Sequence, residues 1–239
     1  HLTIDTLALQ VTYYLSEESG TERLPLLVYV QGSGAASHFV ADGNGYRGAT
    51  GHSSLRDAMA GRMRLLLVEK PGVAFGDVGR EAGEAFRREH TLPRWAVAIA
   101  AAIEAAGRET GVDTTDVTVV GHSEGGVAAA RVAATVSRVD RVALMAGEGP
   151  SQLYSLIRLA RSGGLLPGSG DDADSRERAL LAAWDSVLAH PDAAERTFFG
   201  HAYPRWATFM GSSPLDELAG FEGPVLIVQG TADRAVDPS

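Results

Sequence analysis

The 239-residue sequence has no cysteine, which excludes a disulfide framework, a thiolate nucleophile and any cysteine-ligated metal. It has no long apolar run: the most hydrophobic stretch, WAVAIAAAIEAA from Trp95, is broken by Glu104 and falls short of the ~20 residues that span a bilayer. Positive charge is scarce, with 21 Lys and Arg against 30 Asp and Glu and a formal net charge of -9. That balance disfavours phosphate backbones and anionic lipid, so neither nucleic acid nor membrane is expected as a partner. No internal repeat is present. The opening HLTIDTLALQ lacks an initiator Met, a basic start and a signal-type apolar core, so a segment ahead of His1 is expected. With 45% hydrophobic and 21% charged residues, the chain can bury one substantial core, and one domain is the default.

Short apolar runs recur along that chain: LPLLVYV ending at Val30, RLLLVEK ending at Lys70, VTVV ending at Val120, RVALMAG ending at Gly147 and PVLIVQG ending at Gly230. Runs of this length suit strands buried on both faces, so the sheet is expected to be mostly parallel. Ahead of them, Leu7 to Leu15 alternates loosely and reads as one or two outer strands, followed by the polar turn SEESGTER. Helical patterns lie between the runs. The clearest extends from Pro93 to about Gly107, with Trp95, Ile99, Ala102, Ile103 and Ala106 on one stripe. Alternating strands and helices predict a doubly wound α/β sheet, whose chemistry collects at the carboxyl ends of the strands.

Residues 150–220 break the alternation with two amphipathic helices, SQLYSLIRLAR and RERALLAAWDSVLAH, separated by the loop-like SGGLLPGSGDDADS. The expected organisation is a core formed by 1–149 and 221–239, carrying a helical cap at 150–220. Of the 16 aromatic residues, 7 fall between Tyr154 and Phe209, a density that suits either glue between cap helices or the lining of a pocket. Phe198, Phe199, Tyr203, Trp206 and Phe209 are the candidates for substrate contact.

The stretch VTVVGHSEGG, Val117 to Gly126, carries the chemistry. A β-branched run feeds a small-residue helix, GVAAARVAATV, through a turn with Ser123 at its apex. Gly121-His122-Ser123-Glu124-Gly125 fits G-x-S-x-G in the strand-turn-helix context that gives this pattern meaning. The helix N-terminus behind Ser123 favours negative charge developing on a substrate oxygen. The other Gly-His-Ser, in GHSSL at Gly51 to Leu55, lacks both the second glycine and a preceding strand, so Ser53 or Ser54 reads as a helix N-cap.

On GHSEGG, VYVQGSG, VEKPGVAFG and VQGTADRAVDP, the chain resembles the α/β-hydrolase family from Leu24 to Ser239. Gln31 stands where many members have a His before the oxyanion loop, at a point where the backbone matters more than the side chain. The resemblance implies the α/β-hydrolase fold and an oxyanion hole formed by the backbone N–H groups of Glu124 and Ser33. It implies a triad acid at Asp233, with Glu148 and Asp237 as alternatives. It also places the catalytic histidine after one more strand, and none of His1, His38, His52, His90, His122, His190 and His201 follows Asp233. The base is therefore expected beyond Ser239, with His201 and His38 as alternatives within the chain and His122 turned away from the hydroxyl. The Glu124 carboxylate reads either as a cleft group for a cationic substrate or as part of a salt-bridged helix start.

The function expected is a serine hydrolase cleaving a carboxylic ester through an acyl-enzyme on Ser123, with Asp233 in the triad and with no metal or organic cofactor. The substrate is a small-molecule ester or amide. An amidase or peptidase of the same fold and a non-catalytic binding protein that kept the fold are the alternatives.

Overall fold

The computed structural model describes residues 1–17, 22–43, 45–165 and 172–236. The chain opens with β1 (Leu2–Ile4) and β2 (Leu9–Val11), an antiparallel pair, then β3 (Tyr13–Leu15) and β4 (Leu24–Val30). The hairpin β5 (Phe39–Ala41) and β6 (Tyr46–Gly48) precedes α1 (His52–Met59) and β7 (Arg64–Val68). Next come α2 (Glu84–Glu89), α3 (Leu92–Ala106), β8 (Val112–His122), α4 (Glu124–Thr135) and β9 (Arg141–Met145). A mainly helical stretch follows: α5 (Gln152–Arg161), α6 (Ala173–Ala189), the small hairpin β10 (Thr197–Phe198) and β11 (His201–Ala202), α7 (Tyr203–Phe209) and α8 (Pro214–Glu217). The strand β12 (Val225–Val228) returns to the sheet.

Six strands form the central sheet in the order β12-β9-β8-β4-β7-β3. All neighbours run parallel except β3, which pairs antiparallel with β7. This is the α/β-hydrolase fold expected above, with one antiparallel edge. The period of two along β4 explains why its apolar run is nearly continuous. Leu26, Val28 and Val30 join Trp95, Ile99, Ile103, Val127 and Val132 on the face covered by α3 and α4. Leu27 and Tyr29 join Met59, Leu65 and Leu67 on the face covered by α1. A strand covered on both faces has no position for a polar side chain, which is why the sequence shows runs rather than alternation.

Three expectations change. The helix after Gly51 starts at His52 with Gly51 itself as the cap (φ 79°) and no side-chain cap, so Ser53 and Ser54 lie in its first turn. Residue 51 meets the helix in a left-handed conformation suited to glycine, which removes the need for a hydroxyl cap. Second, the strand ending at Val120 is longer than VTVV: β8 starts at Val112 and jumps register against β4 between Pro25 and Leu26. Third, β12 is not buried on both faces. Val225, Leu226, Ile227 and Val228 are 43%, 58%, 68% and 50% exposed, because β12 is the edge strand and no helix among the described residues packs over it. No helix among the described residues is long and apolar enough to cross a membrane.

Candidate active site

Ser123 is the one residue between β8 and α4, with φ 53° and ψ -125°, a conformation that non-glycine residues rarely adopt. The surrounding glycines allow this turn. A Cβ on Gly121 would overlap the backbone of Gly125, and one on Gly125 would overlap the carbonyls of Val30 and Gln31. The helix start can thus press against the end of β4. Ser123 N donates to Met145 O at 2.9 Å and Ser123 O accepts from Gly126 N at 2.8 Å, so the backbone is held from both sides. Among the described residues, Ser123 Oγ has no hydrogen-bond partner, and neither Ser33 N nor Glu124 N has an internal acceptor. Free N–H groups at a helix start and on a neighbouring loop are what a developing oxyanion requires.

That loop is held from below by Lys70, the chain's single lysine. It is buried, and its Nζ donates to the carbonyls of Gly32 and Gly34, the latter at 2.7 Å. Burial pushes the Lys70 ammonium down to about 8, against the pull of the Glu124 carboxylate.

Parallel register brings the remaining candidates to the same edge. His122 pairs with Met145, and Met145 with Val228, so the residues just after β8, β9 and β12 leave the sheet at one level. They include Ser123, Glu148 and Asp233. Asp233 Oδ1 accepts from the N–H groups of Ala235 at 2.8 Å and Val236 at 3.1 Å, and Oδ2 accepts from Gln229 Nε2 at 3.1 Å. Those backbone donors hold its carboxyl below the usual range. Ala235 and Val236 border the same cavity as Ser123, although Asp233 itself does not. Asp237 lies outside the described residues.

Ser123 and Ser33 border two cavities. The larger, about 770 Å³, lies toward Tyr29, Leu55, His122 and Met145. The smaller, about 190 Å³, is an open cleft bordered by Glu148 and by residues of α5, the β10–β11 hairpin and α7. Of the aromatic candidates, Phe199 and Trp206 line the smaller cavity. Phe199 is reached through a two-residue turn, Phe199-Gly200, with both φ positive (47° and 71°), which presents the ring at the hairpin tip. Phe198 stacks edge-on against Phe199 and Trp206. The Tyr203 hydroxyl lies 3.3 Å from Ser186 Oγ, among the helices. Phe209 is fully buried in the main core, with its ring 6.3 Å from Trp95 and 5.3 Å from His90, and it borders neither cavity.

The histidines separate clearly. His38 is buried with Nδ1 on Thr50 Oγ1 at 2.9 Å and Nε2 on Val68 O at 3.2 Å. His122 is exposed and borders the larger cavity. His201 borders the smaller cavity and packs edge-on against Trp206 at 5.7 Å, with no hydrogen bond among the described residues.

Glu124 resolves the two readings of its side chain in favour of the salt-bridged one. It is 2% exposed. Its Oε1 accepts from His90 Nε2 at 2.9 Å, and its Oε2 accepts from Arg205 Nε at 2.8 Å and from Arg205 Nη2. Burial works against its ionisation, but Arg205 and the His90 hydrogen bond overcome this and hold its carboxyl well below the usual range. Arg205 lies in α7, so the residue that follows Ser123 is tied to the helical stretch above it. His90 and Arg205 had no signal of their own in the sequence. Lys70 had one, as the only lysine.

Burial pushes His38 down to about 3, and His90 and His201 down to about 4. An unfolded histidine binds its proton near 6.5, so between roughly pH 6.5 and 4 the unfolded chain takes up protons that the folded one refuses. Stability should therefore fall as pH falls through that window. Glu148, raised by burial to about 7, and Glu69, also raised by burial, work in the opposite sense, but these three histidines, joined by His52, which burial lowers too, outweigh the two carboxyls. The urea midpoint is expected to drop between pH 6.5 and 4.5, and to drop less in His38→Gln; an identical slope in that variant would count against a neutral buried His38.

Residues 29–239 match the profile of a family described as the alpha/beta hydrolase family. Among solved structures, Est1E from Butyrivibrio proteoclasticus is 17% identical with a TM-score of 0.59, over 97% of this chain and 77% of that one. The alpha/beta hydrolase GrgF from Penicillium sp. sh18 is 13% identical with a TM-score of 0.58, over 98% of this chain and 80% of that one. The acylaminoacyl peptidase of Pyrococcus horikoshii is 16% identical with a TM-score of 0.57, over 95% of this chain but 30% of that one. At such identities these likenesses show the fold alone. No curated protein matches by sequence.

Proposed function

Because the chain belongs to the alpha/beta hydrolase family, we propose that it is a serine hydrolase that cleaves a carboxylic ester through an acyl-enzyme on Ser123. The observation that carries this reading is the combination at one point of a strained serine, a hydroxyl without an internal partner and two unoccupied N–H donors. In the reaction, Oγ attacks the ester carbonyl while its proton passes to a histidine imidazole oriented by the Asp233 carboxylate, a base that no hydrogen bond among the described residues assigns to a particular histidine. The oxyanion is received by Ser33 N and Glu124 N. Collapse expels the alcohol, which takes the proton back from the imidazole, and water then releases the acid by the same steps in reverse order. Each oxyanion donor is worth ~3 to 4 kcal/mol to the transition state.

The helical stretch between β9 and β12 acts in this reading as a cap whose aromatic wall selects the acyl group. Phe199 and Trp206 border the cavity beside Ser123. Truncating Phe199 to alanine removes apolar contact worth about 25 cal/mol per Å². The ratio of kcat/KM for butyrate over acetate esters is therefore expected to fall ~5- to 30-fold in Phe199→Ala. Phe209→Ala should leave that ratio alone and instead destabilise the fold by ~3 to 5 kcal/mol, because its ring fills the main core. Chain-length profiles and urea unfolding of the two variants check this pair, and an unchanged profile for Phe199→Ala would reduce the aromatic wall to packing.

The experiment that tests the function is hydrolysis of short p-nitrophenyl esters by the full-length gene product and its Ser123→Ala variant. Ester turnover that requires Ser123 supports the reading, and turnover that survives its removal overturns it.

A further inference from the structure

The cavity beside Ser123 is lined by three charged side chains that the reaction above does not use: Glu124 and Arg205, which pair with each other, and Glu148. Glu148 follows β9, is 8% exposed and borders the 190 Å³ cavity together with Ser123. Its Oε2 accepts from the Ser155 hydroxyl, and its Oε1 has no partner among the described residues. Among the described residues, no Arg, Lys or His makes an ion pair with it. Arg205 lines the same cavity and its charge lowers the Glu148 carboxyl, but it makes no hydrogen bond to it: Arg205 Nε and Nη2 are engaged by Glu124 and by Gln152 Oε1, the latter at 3.1 Å, and its buried Nη1 has no partner among the described residues. Asp233 adds a second negative charge from the β12 side, and His201, across the cavity, is neutral at ordinary pH. A buried carboxylate without a cation is costly, and its cost falls when a cation arrives to pair with it.

We propose that Glu148, with Ser155 and the cavity they border, is a subsite for a positively charged ammonium group on the acyl part of the substrate, so that the preferred substrates are small α-aminoacyl esters or amides. The proposal rests on Ser123 being the nucleophile, and it narrows the substrate class of that site. Its elements agree. The carboxylate and the nucleophile share one small cavity, as an α-ammonium group and its scissile carbonyl must. Burial raises the Glu148 carboxyl to about 7, so at neutral pH a large part of the carboxylate form is available, and pairing draws the remainder into it.

The test compares two esters that differ in the charged group, alanine ethyl ester and ethyl propionate, by acid release from the full-length gene product. The ratio of their kcat/KM values is followed in the parent and in Glu148→Gln, so that the intrinsic reactivities of the two esters cancel. A charge-assisted contact is worth ~1.5 to 3 kcal/mol, and the preference for the alanine ester is accordingly expected to fall ~10- to 100-fold in the variant. In the parent alone, the same preference should decline as pH drops from about 7 to 5, because Glu148 takes up a proton while the substrate amine, with a pKa near ~7.7, stays charged. The pH profile keeps the proposal open to refutation if Glu148→Gln does not fold. A ratio unchanged in Glu148→Gln, including the case where both esters slow together as loss of a triad acid would dictate, overturns the subsite, as does a ratio flat with pH in the parent. Hydrolysis of both esters that is abolished in Ser123→Ala, with a flat ratio, rejects the subsite and keeps the nucleophile. Hydrolysis of neither ester, or hydrolysis indifferent to Ser123→Ala, counts against both.

Discussion

Replacing Ser123 with alanine is expected to lower ester turnover by ~10⁴- to 10⁶-fold while leaving the unfolding midpoint almost unchanged. In the proposed mechanism the loss follows from removing the atom that forms the acyl-enzyme, with the two oxyanion donors still in place to support a residual rate. The stability follows from geometry. Ser123 Oγ makes no internal hydrogen bond that alanine would forfeit, and both residues suffer the same strain at φ 53°. Glycine suffers none, so Ser123→Gly is expected to be as inactive as the alanine variant but more stable by ~1 kcal/mol or more. Stability measurements on the two variants separate backbone strain from chemistry. If Ser123→Gly proved less stable than Ser123→Ala, the turn would not be storing strain at this residue.

The second large effect is expected far from the substrate. Arg205→Met leaves the Glu124 carboxylate buried with His90 as its only direct partner among the described residues, and breaking a buried pair from one side costs ~3 to 5 kcal/mol. Glu124→Gln should be milder, because it removes the charge that needs pairing, although it leaves Arg205 with a neutral acceptor. The double variant Glu124→Gln with Arg205→Met is expected to cost clearly less than the sum of the two single changes. Urea unfolding of the three variants gives the coupling energy directly. Additive costs would mean that the two residues act separately, and a loss below ~1 kcal/mol in Arg205→Met would mean that the pair is effectively solvated. In the proposed reaction Glu124 N also receives the oxyanion, so Arg205→Met should lower kcat as well.

The sequence made the parallel strands and the elbow legible for a shared reason. A strand covered on both faces, such as β4, admits only apolar residues, and a strand-to-helix turn as tight as that at Ser123 admits only glycine at Gly121 and Gly125. Each constraint acts on neighbours in the chain and therefore leaves a local pattern. The charged network beneath the elbow leaves none. Glu124 meets His90 34 residues before it and Arg205 81 residues after it, and nothing local distinguishes these residues from other polar ones. Phe209 illustrates the same limit among apolar residues. It belongs by sequence to the aromatic group of Phe198, Phe199, Tyr203 and Trp206, but α7 turns it toward Trp95 and the sheet. Likewise, β12 reads like the inner strands because sequence reports side-chain type and not what covers it. Glu148 was visible as a candidate acid, while its place in the wall of the cavity beside Ser123, with no ion pair among the described residues, emerged only once the cavity walls were in place.

The central claim is that the turn between β8 and α4 holds an activated nucleophile, and labelling by a fluorophosphonate tests it without assuming a substrate. The reagent phosphonylates a serine only where its hydroxyl is deprotonated on attack and the oxyanion is stabilised, so it reports the assembled site and not mere exposure. With the full-length gene product, the account predicts a single adduct on the peptide containing Ser123, lost in Ser123→Ala and in denatured protein. Absence of any adduct under conditions that label a control hydrolase, or an adduct on Ser33, Ser53 or another serine that persists in Ser123→Ala, would contradict it.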